Sequence, residues 1–249
     1  MRQTTLEIDL GLLKQNYLRL KKRAGGAELI VLLKSDAYGH SHREVSLALE
    51  QLPKEEKLHG FGVANVEEGI ELRREGVRRP IYVMSGIQQY DQDLHRCLDT
   101  CNLTPVISSL SILKRAAEVT RRHGYYRPLH LKFNTGMNRL GLDADELEEC
   151  LKILKANPQI KVGGLMSHLA MGEKPKHALT RRQVSAFREI LAGFERAGVR
   201  PEYRHICNSA GLASGLFPEG NLARVCLHLY GLDDKDTRPV ARWSAQVYQ

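Results

Sequence analysis

The sequence predicts an α/β fold, a (β/α)8 barrel of TIM type, on three observations. Eight short apolar, β-branched segments recur at 29–33, 61–64, 81–83, 105–107, 130–133, 162–166, 205–207 and 222–225. Longer amphipathic stretches separate them, as parallel βαβ units require. The 249 residues, 42% of them hydrophobic, are enough to wrap eight such units around one core. A doubly wound open sheet is the alternative that the same alternation allows.

Residues 4–10 read as a strand ahead of the first helix. The stretch near 65–76 reads as a helix that stops at Gly76, with Pro80 following. Asp143, with Glu146 three residues on, has the form of a capping box that opens another helix. Over 178–198, Val184, Phe187, Leu191 and Phe194 share one face, and Gly198 with Pro201 forms the stop. From Val240 the chain alternates again as a strand would, with no partner in view. The expected organisation is therefore a barrel over 10–237. The segments 1–9 and 238–249 are expected to be edge strands of a further β domain absent from the sequence.

The formal charge is 37 − 29 = +8, and the pI is near 9.3. The basic clusters, Arg19 to Arg23, Arg121-Arg122 with Arg127, and Arg181-Arg182, are scattered and mixed with acids. No RNP-like aromatic motif or recognition-helix pattern accompanies them. They read as solvated helix faces, and a nucleic-acid partner is not expected, whereas an anionic small molecule suits the charge. The longest aliphatic run, Leu29-Ile30-Val31-Leu32-Leu33, is far short of the roughly 20 apolar residues of a membrane span. The start, Met1-Arg2-Gln3-Thr4-Thr5, lacks an apolar h-region, so no secretory signal is expected. Five cysteines without a Cys-x-x-Cys pair read as reduced cytosolic thiols. Cys97 and Cys101 have no following His pair, so no zinc site is expected.

In a parallel barrel the chemistry sits at the C-terminal ends of the strands. Lys34 follows the first core strand directly. Partial desolvation there would lower its pKa and yield the free amine that Schiff-base chemistry with a carbonyl needs. By position alone, a lysine snorkelling to water explains it as well. Tyr38 alone reads equally as a loop tyrosine packed on the first helix, and Ser209 as a helix N-cap. Arg139 and Lys132 alone read as a surface ion-pair network, and His168 and His205 as satisfied core histidines.

The surrounding blocks shift that balance. Leu33-Lys34-Ser35-Asp36-Ala37-Tyr38-Gly39-His40 resembles the cofactor-lysine motif of the alanine racemase family. Further blocks resemble that family in order along nearly the whole chain. They are Glu7-Ile8-Asp9-Leu10 with Asn16, Phe61-Gly62-Val63-Ala64 with Glu67-Glu68, and His130 through Gly141. Gly164 through His168, His205 with Asn208-Ser209-Ala210, and Arg224 through Gly231 complete the series. The resemblance implies the pyridoxal 5′-phosphate barrel of that family. It implies a cytoplasmic isomerase that interconverts L- and D-alanine and supplies D-alanine for peptidoglycan.

The resemblance also implies roles. Lys34 would hold the cofactor and act as one catalytic base. The phosphate would take Tyr38, Ser209 with its neighbour Asn208, and the backbone N–H groups of Cys226 and Leu227. Cys226 stands where the family has Gly, and a side chain there crowds the phosphate. Arg224 matches the arginine that faces the pyridine nitrogen. An arginine with a pKa above roughly 12 does not protonate that nitrogen, which favours reprotonation at Cα over transamination. His168 and His205 would orient it. Arg139 matches a residue that contacts the cofactor's phenolic oxygen and the substrate carboxylate. Lys132 matches a lysine carbamylated in many members, and Asn134 replaces a common Asp.

The second base in the family is a tyrosine of a β-rich domain, supplied by the partner of a head-to-tail homodimer. Tyr248 lacks that tyrosine's context. The 249 residues alone are expected to bind cofactor weakly, to show little or no racemase activity, and not to form that dimer. A single-domain pyridoxal-phosphate carrier has the same barrel, but its Gly-Glu-Asn block is replaced by Ala64-Asn65-Val66-Glu67-Glu68. A racemase for serine or lysine stays open as an alternative.

Overall fold

The computed structural model describes residues 4–246, apart from 57, 86, 88, 89, 126 and 217–219. Tyr248 lies outside them, as do the outer ends of both expected edge segments. In chain order the elements are β1 (Thr4–Ile8), α1 (Leu10–Arg23), β2 (Glu28–Leu32), α2 (Lys34–Gly39), α3 (His42–Glu50), β3 (Leu58–Val63), α4 (Val66–Arg74), β4 (Ile81–Val83), α5 (Tyr90–His95), β5 (Thr104–Ile107), α6 (Leu110–His123), β6 (Pro128–Lys132), α7 (Leu147–Ala156), β7 (Lys161–Met166), α8 (Ala178–Arg196), β8 (Tyr203–His205), α9 (Ser209–Ala213), β9 (Leu222–Val225) and β10 (Ala241–Ala245).

Eight strands form one parallel sheet in the order β9-β2-β3-β4-β5-β6-β7-β8. Its two ends meet: Asn221 N–H donates to Arg204 O at 3.2 Å and Arg224 N–H to Cys207 O at 3.1 Å. The sheet therefore closes into the expected barrel. An open doubly wound sheet is excluded, because the strand order has no reversal and no free edge pair.

Alternation along the strands makes two cores. On β2, Leu29 and Val31 pack outward among the helices with Leu13, Tyr17 and Leu20 of α1. Ile30 and Leu32 turn inward with Met84, Val106, Met166 and Leu222. The interior also admits His130, because Gly164 lies against it. A Cβ at residue 164 would meet the imidazole at 2.5 Å.

The helix signals act as read. The capping box at Asp143 and Glu146 is formed in both directions and opens a 3-10 turn that leads into α7. On α8, Val184, Phe187 and Phe194 are buried, and the Phe194 ring meets Phe133 edge-on at 5.8 Å. The seventh apolar segment ends earlier than its sequence pattern: β8 stops at His205, where its pairing with Met166 ends. Cys207 belongs instead to the turn before α9.

The last strand does have a partner. β10 pairs antiparallel with β1, from Thr4 opposite Ala245 to Ile8 opposite Ala241. Sequence alone missed this because the first pair, Thr4 and Ala245, is 241 positions apart, 245 − 4. The ribbon is solvent-facing, with Leu6 opposite Trp243 and Trp243 76% exposed.

Candidate functional site

Lys34 stands at the C-terminal mouth of the barrel, where Leu33 N–H still donates to Gly62 O at 2.8 Å. The chain then makes one left-handed turn. Ser35, Asp36, Ala37 and Tyr38 have φ of 54°, 52°, 54° and 56°. Each costs an L-residue roughly 1–2 kcal/mol, so the surroundings must over-determine the turn. They do. Glu68 on α4 accepts from Ser35 N–H at 2.9 Å and from Ala64 N–H at 2.6 Å. Asp36 accepts from His42 N–H at 2.8 Å. His40 Nδ1 lies 3.0 Å from both the Ala37 and the Tyr38 carbonyl oxygens. The His40 ring stacks on Tyr230 at 4.4 Å, and the Tyr230 hydroxyl donates to Leu32 O at 3.0 Å. One turn on, the Tyr38 ring is brought back to 5.7 Å from Lys34 Nζ.

Arg224, on β9, is 3% exposed and enclosed by acceptors without formal charge. Its Nη1 donates to His205 Nδ1 at 2.9 Å and His205 O at 2.8 Å. Its Nη2 donates to Ser167 O at 2.7 Å and Ile206 O at 3.2 Å, with His168 Nδ1 at 3.4 Å. A guanidinium carries five N–H donors. The four on the Nη atoms are thus spent, and Nε–H is left without an acceptor among the described residues. Burial lowers the Arg224 pKa to about 10, which still leaves it charged at neutral pH. Burial first, and Arg224 second, push His168 down to about 3 and His205 well below its ordinary value. Both histidines are therefore neutral acceptors. Because His205 Nδ1 accepts, its Nε2 carries the proton and donates to His130 Nδ1 at 2.8 Å. Deeper in the barrel, His59 bonds Glu28 and the Tyr82 hydroxyl. The sequence placed Glu68 and His130 in family-like blocks but gave neither a role, and His59 went unnoticed, because their partners come from other strands.

Lys132, at the end of β6, is 4% exposed. Burial, then the positive charges of Arg224, Arg139 and Lys34, lower its pKa to about 8. Arg139 is on an exposed loop and makes no hydrogen bond or ion pair among the described residues. Asn134 shapes that loop: its Oδ1 accepts from the N–H groups of Gly136 and Asn138 at 3.1 and 3.0 Å. Its Nδ2 donates to Asp143 at 2.8 Å.

A cavity of about 580 Å³ opens beside this group, lined by His168, Asn208, Ser209, Cys226, Leu227 and His228 among others. The N-cap of α9 is Asn208, not Ser209: Asn208 Oδ1 accepts from Gly211 N–H at 3.0 Å. Asn208 Nδ2 donates to Leu169 O at 3.1 Å. Ser209 is left to face Cys226, whose N–H donates to Ser209 Oγ at 2.8 Å. Lys34, Tyr38, Lys132, His168, Ser209, Arg224 and Cys226 thus converge on one mouth. His205 and Asn208 support it from behind, and Arg139 stands at its rim.

The sequence matches the family described as alanine racemase, N-terminal domain, over residues 8–234. The chain belongs to the alanine racemase family. It is 35% identical over 236 residues to an alanine racemase of Citrifermentans bemidjiense, covering 92% of this chain and 60% of that protein. It therefore spans about 60% of the length of that curated relative. The alanine racemase of Streptomyces lavendulae superposes with a TM-score of 0.87 at 27% identity, over 98% of this chain and 65% of that one. The alanine racemase of Bartonella henselae, solved with covalently bound pyridoxal phosphate, shares the fold. Its TM-score is 0.86 at 23% identity, over 100% of this chain and 71% of that one. Alanine racemase family membership accounts for the barrel and for the ordered blocks at its strand ends. No helix among the described residues is long and apolar enough to cross a membrane.

Proposed function

We propose that this barrel is the cofactor half of a pyridoxal-phosphate-dependent racemase that interconverts L- and D-alanine. The observation that carries this reading is Arg224: a buried cation with no carboxylate partner among the described residues, its Nη atoms spent on carbonyls and neutral histidines. The residues fit the cofactor. Lys34 offers an amine, Arg224 offers Nε–H to a pyridine nitrogen, and Tyr38, Ser209 and Leu227 N–H offer phosphate donors. When bound, pyridoxal phosphate supplies an electron sink that acidifies the Cα proton of an amino acid. Lys34 removes and returns that proton on its own face. Arg224 stays charged and does not hand a proton to the ring, so the proton returns to Cα.

Arg139, at the rim, is placed to grip a substrate carboxylate in a bidentate pair. Lys132, with a pKa of about 8, has an amine nucleophilic enough to take up carbon dioxide. Carbamylation would set a negative charge between Arg139 and Arg224. On this reading D-alanine serves peptidoglycan, and the compartment is the cytoplasm, where the five free cysteines stay reduced. The working assembly is a homodimer whose partner brings the second acid–base group.

The test is borohydride reduction in the presence of pyridoxal phosphate, followed by peptide mapping, with alanine exchange followed in deuterated water. The label should fall on Lys34, and Lys34→Ala should slow loss of the alanine Cα proton by about 10²–10⁴, the span of general-base catalysis. Label on another lysine, or exchange that survives in Lys34→Ala, overturns the reading.

A further inference from the structure

We infer that the Cys226 thiol and the phosphate of a bound cofactor compete for one position, so that Cys226 sets the phosphate affinity of the site. The inference rests on the reading that this barrel takes pyridoxal phosphate.

Three groups around the thiol carry the argument. Ser209 Oγ lies 3.5 Å from Cys226 Sγ and points its hydroxyl at it. Tyr38 is near enough for Cys226 to help hold its hydroxyl protonated, after burial. The Cys226 N–H donates to Ser209 Oγ at 2.8 Å. The side chains best suited to donate to a phosphate thus converge on sulfur, and one backbone donor is spent on the serine. An oxygen that accepts from the Ser209 hydroxyl in its present direction, at the usual 2.5–3.0 Å, overlaps the sulfur that this hydroxyl now points at. A thiol is a weak acceptor, whereas hydrogen bonds to an ionised phosphate are about twice as strong as neutral ones. Phosphate therefore displaces the thiol, and the Cys226 side chain must rotate away. The neighbouring cavity has room for it. A glycine at 226 would have nothing to move.

The competition leaves a mark on thiol reactivity that can be read without any turnover. Burial pushes the Cys97 thiol up, and pushes Cys150 and Cys207 up to about 12, which leaves them poorly reactive. Cys101 and Cys226 are half-buried. Cys101 is remote from the mouth and serves as an internal control.

The experiment measures iodoacetamide labelling by peptide mass mapping with no addition, with pyridoxal phosphate, and with pyridoxal, each aldehyde at a level that saturates Lys34. Pyridoxal phosphate should change the labelling rate of Cys226 at least tenfold and leave Cys101 unchanged, whereas pyridoxal should leave both unchanged. Cys226→Gly should tighten pyridoxal phosphate at least tenfold and pyridoxal less than twofold. Cys226→Ser, which keeps a smaller hydrogen-bonding group, should fall between, and circular dichroism establishes that both variants fold. An equal change with both aldehydes, no change, or an unchanged affinity ratio in folded Cys226→Gly would overturn the inference and leave the function standing. Failure of pyridoxal phosphate to attach to Lys34 would overturn the function, and the inference with it.

Discussion

Lys132 shows what one misplaced charge does inside this barrel. It is 4% exposed and faces Arg224, Arg139 and Lys34, and its pKa falls from 10.5 to about 8. The unfolded chain thus binds a proton more tightly than the folded one. The cost of the buried charge is fully present below the folded pKa and is relieved as the pH rises from 8 towards 10.5. Between pH 7.5 and 9.5 the wild type should gain about 2 kcal/mol relative to Lys132→Met. Urea unfolding in bicarbonate-free buffer, at both pH values and for both proteins, measures the difference. A gain that is equal in the two proteins would mean that Lys132 titrates normally. At this scale the sequence was most informative about place: the run from Lys34 to His40 lies at the barrel mouth, with Arg224, Ser209 and Tyr38 around it. The roles it did not reveal, those of Glu68 and His130, depend on partners that the fold brings together.

At the scale of elements, strand positions and helix caps were legible because they depend on local alternation and capping chemistry. The turn after Lys34 was not, because nothing in Ser35-Asp36-Ala37-Tyr38 favours φ near +54° over right-handed geometry. Its hand is imposed from outside by Glu68, His40 and the Tyr230 stack. The backbone penalty can be probed at Ser35, which is exposed and whose side chain makes no hydrogen bond among the described residues. Ser35→Gly removes the Cβ that disfavours the left-handed well and should keep the melting temperature or raise it. Ser35→Val adds a β-branch there and should lower stability by about 1–3 kcal/mol. Thermal unfolding of the pair decides it. If valine is tolerated as well as glycine, the turn is not strained at that position.

Across the whole molecule, one seam joins the terminal ribbon to the mouth of the barrel. Asn16 of α1 is fully buried and donates to Leu229 O at 3.0 Å and Arg238 O at 2.8 Å. It also accepts from Arg238 N–H at 3.1 Å, so its amide ties the helix to both sides of the returning strap. The strap continues through Val240 N–H to Tyr230 O at 3.2 Å and from Asp9 N–H to Val240 O at 2.9 Å. The long-range pairing of β1 with β10 follows from this strap and was invisible to any local pattern. Gly231 is its tightest point. Its φ is +79°, and a Cβ there would lie 2.0 Å from Arg238 C and O and 2.2 Å from Pro239 N. Those atoms are backbone, so Gly231→Ala must push the strap off Asn16 and move Tyr230. Tyr230 in turn holds Leu32 O and the His40 ring, two supports of Lys34. The variant should lose about 2–4 kcal/mol of stability from strain and overpacking together. Its Lys34 should also be trapped less efficiently by pyridoxal phosphate and borohydride, although no site residue has changed. Asn16→Ala, which cuts the tie without the clash, should lose stability with a smaller effect on trapping. Melting curves and trapping yields for both variants test the connection. A destabilised Gly231→Ala that still traps at the wild-type yield would show that the strap and the mouth are independent.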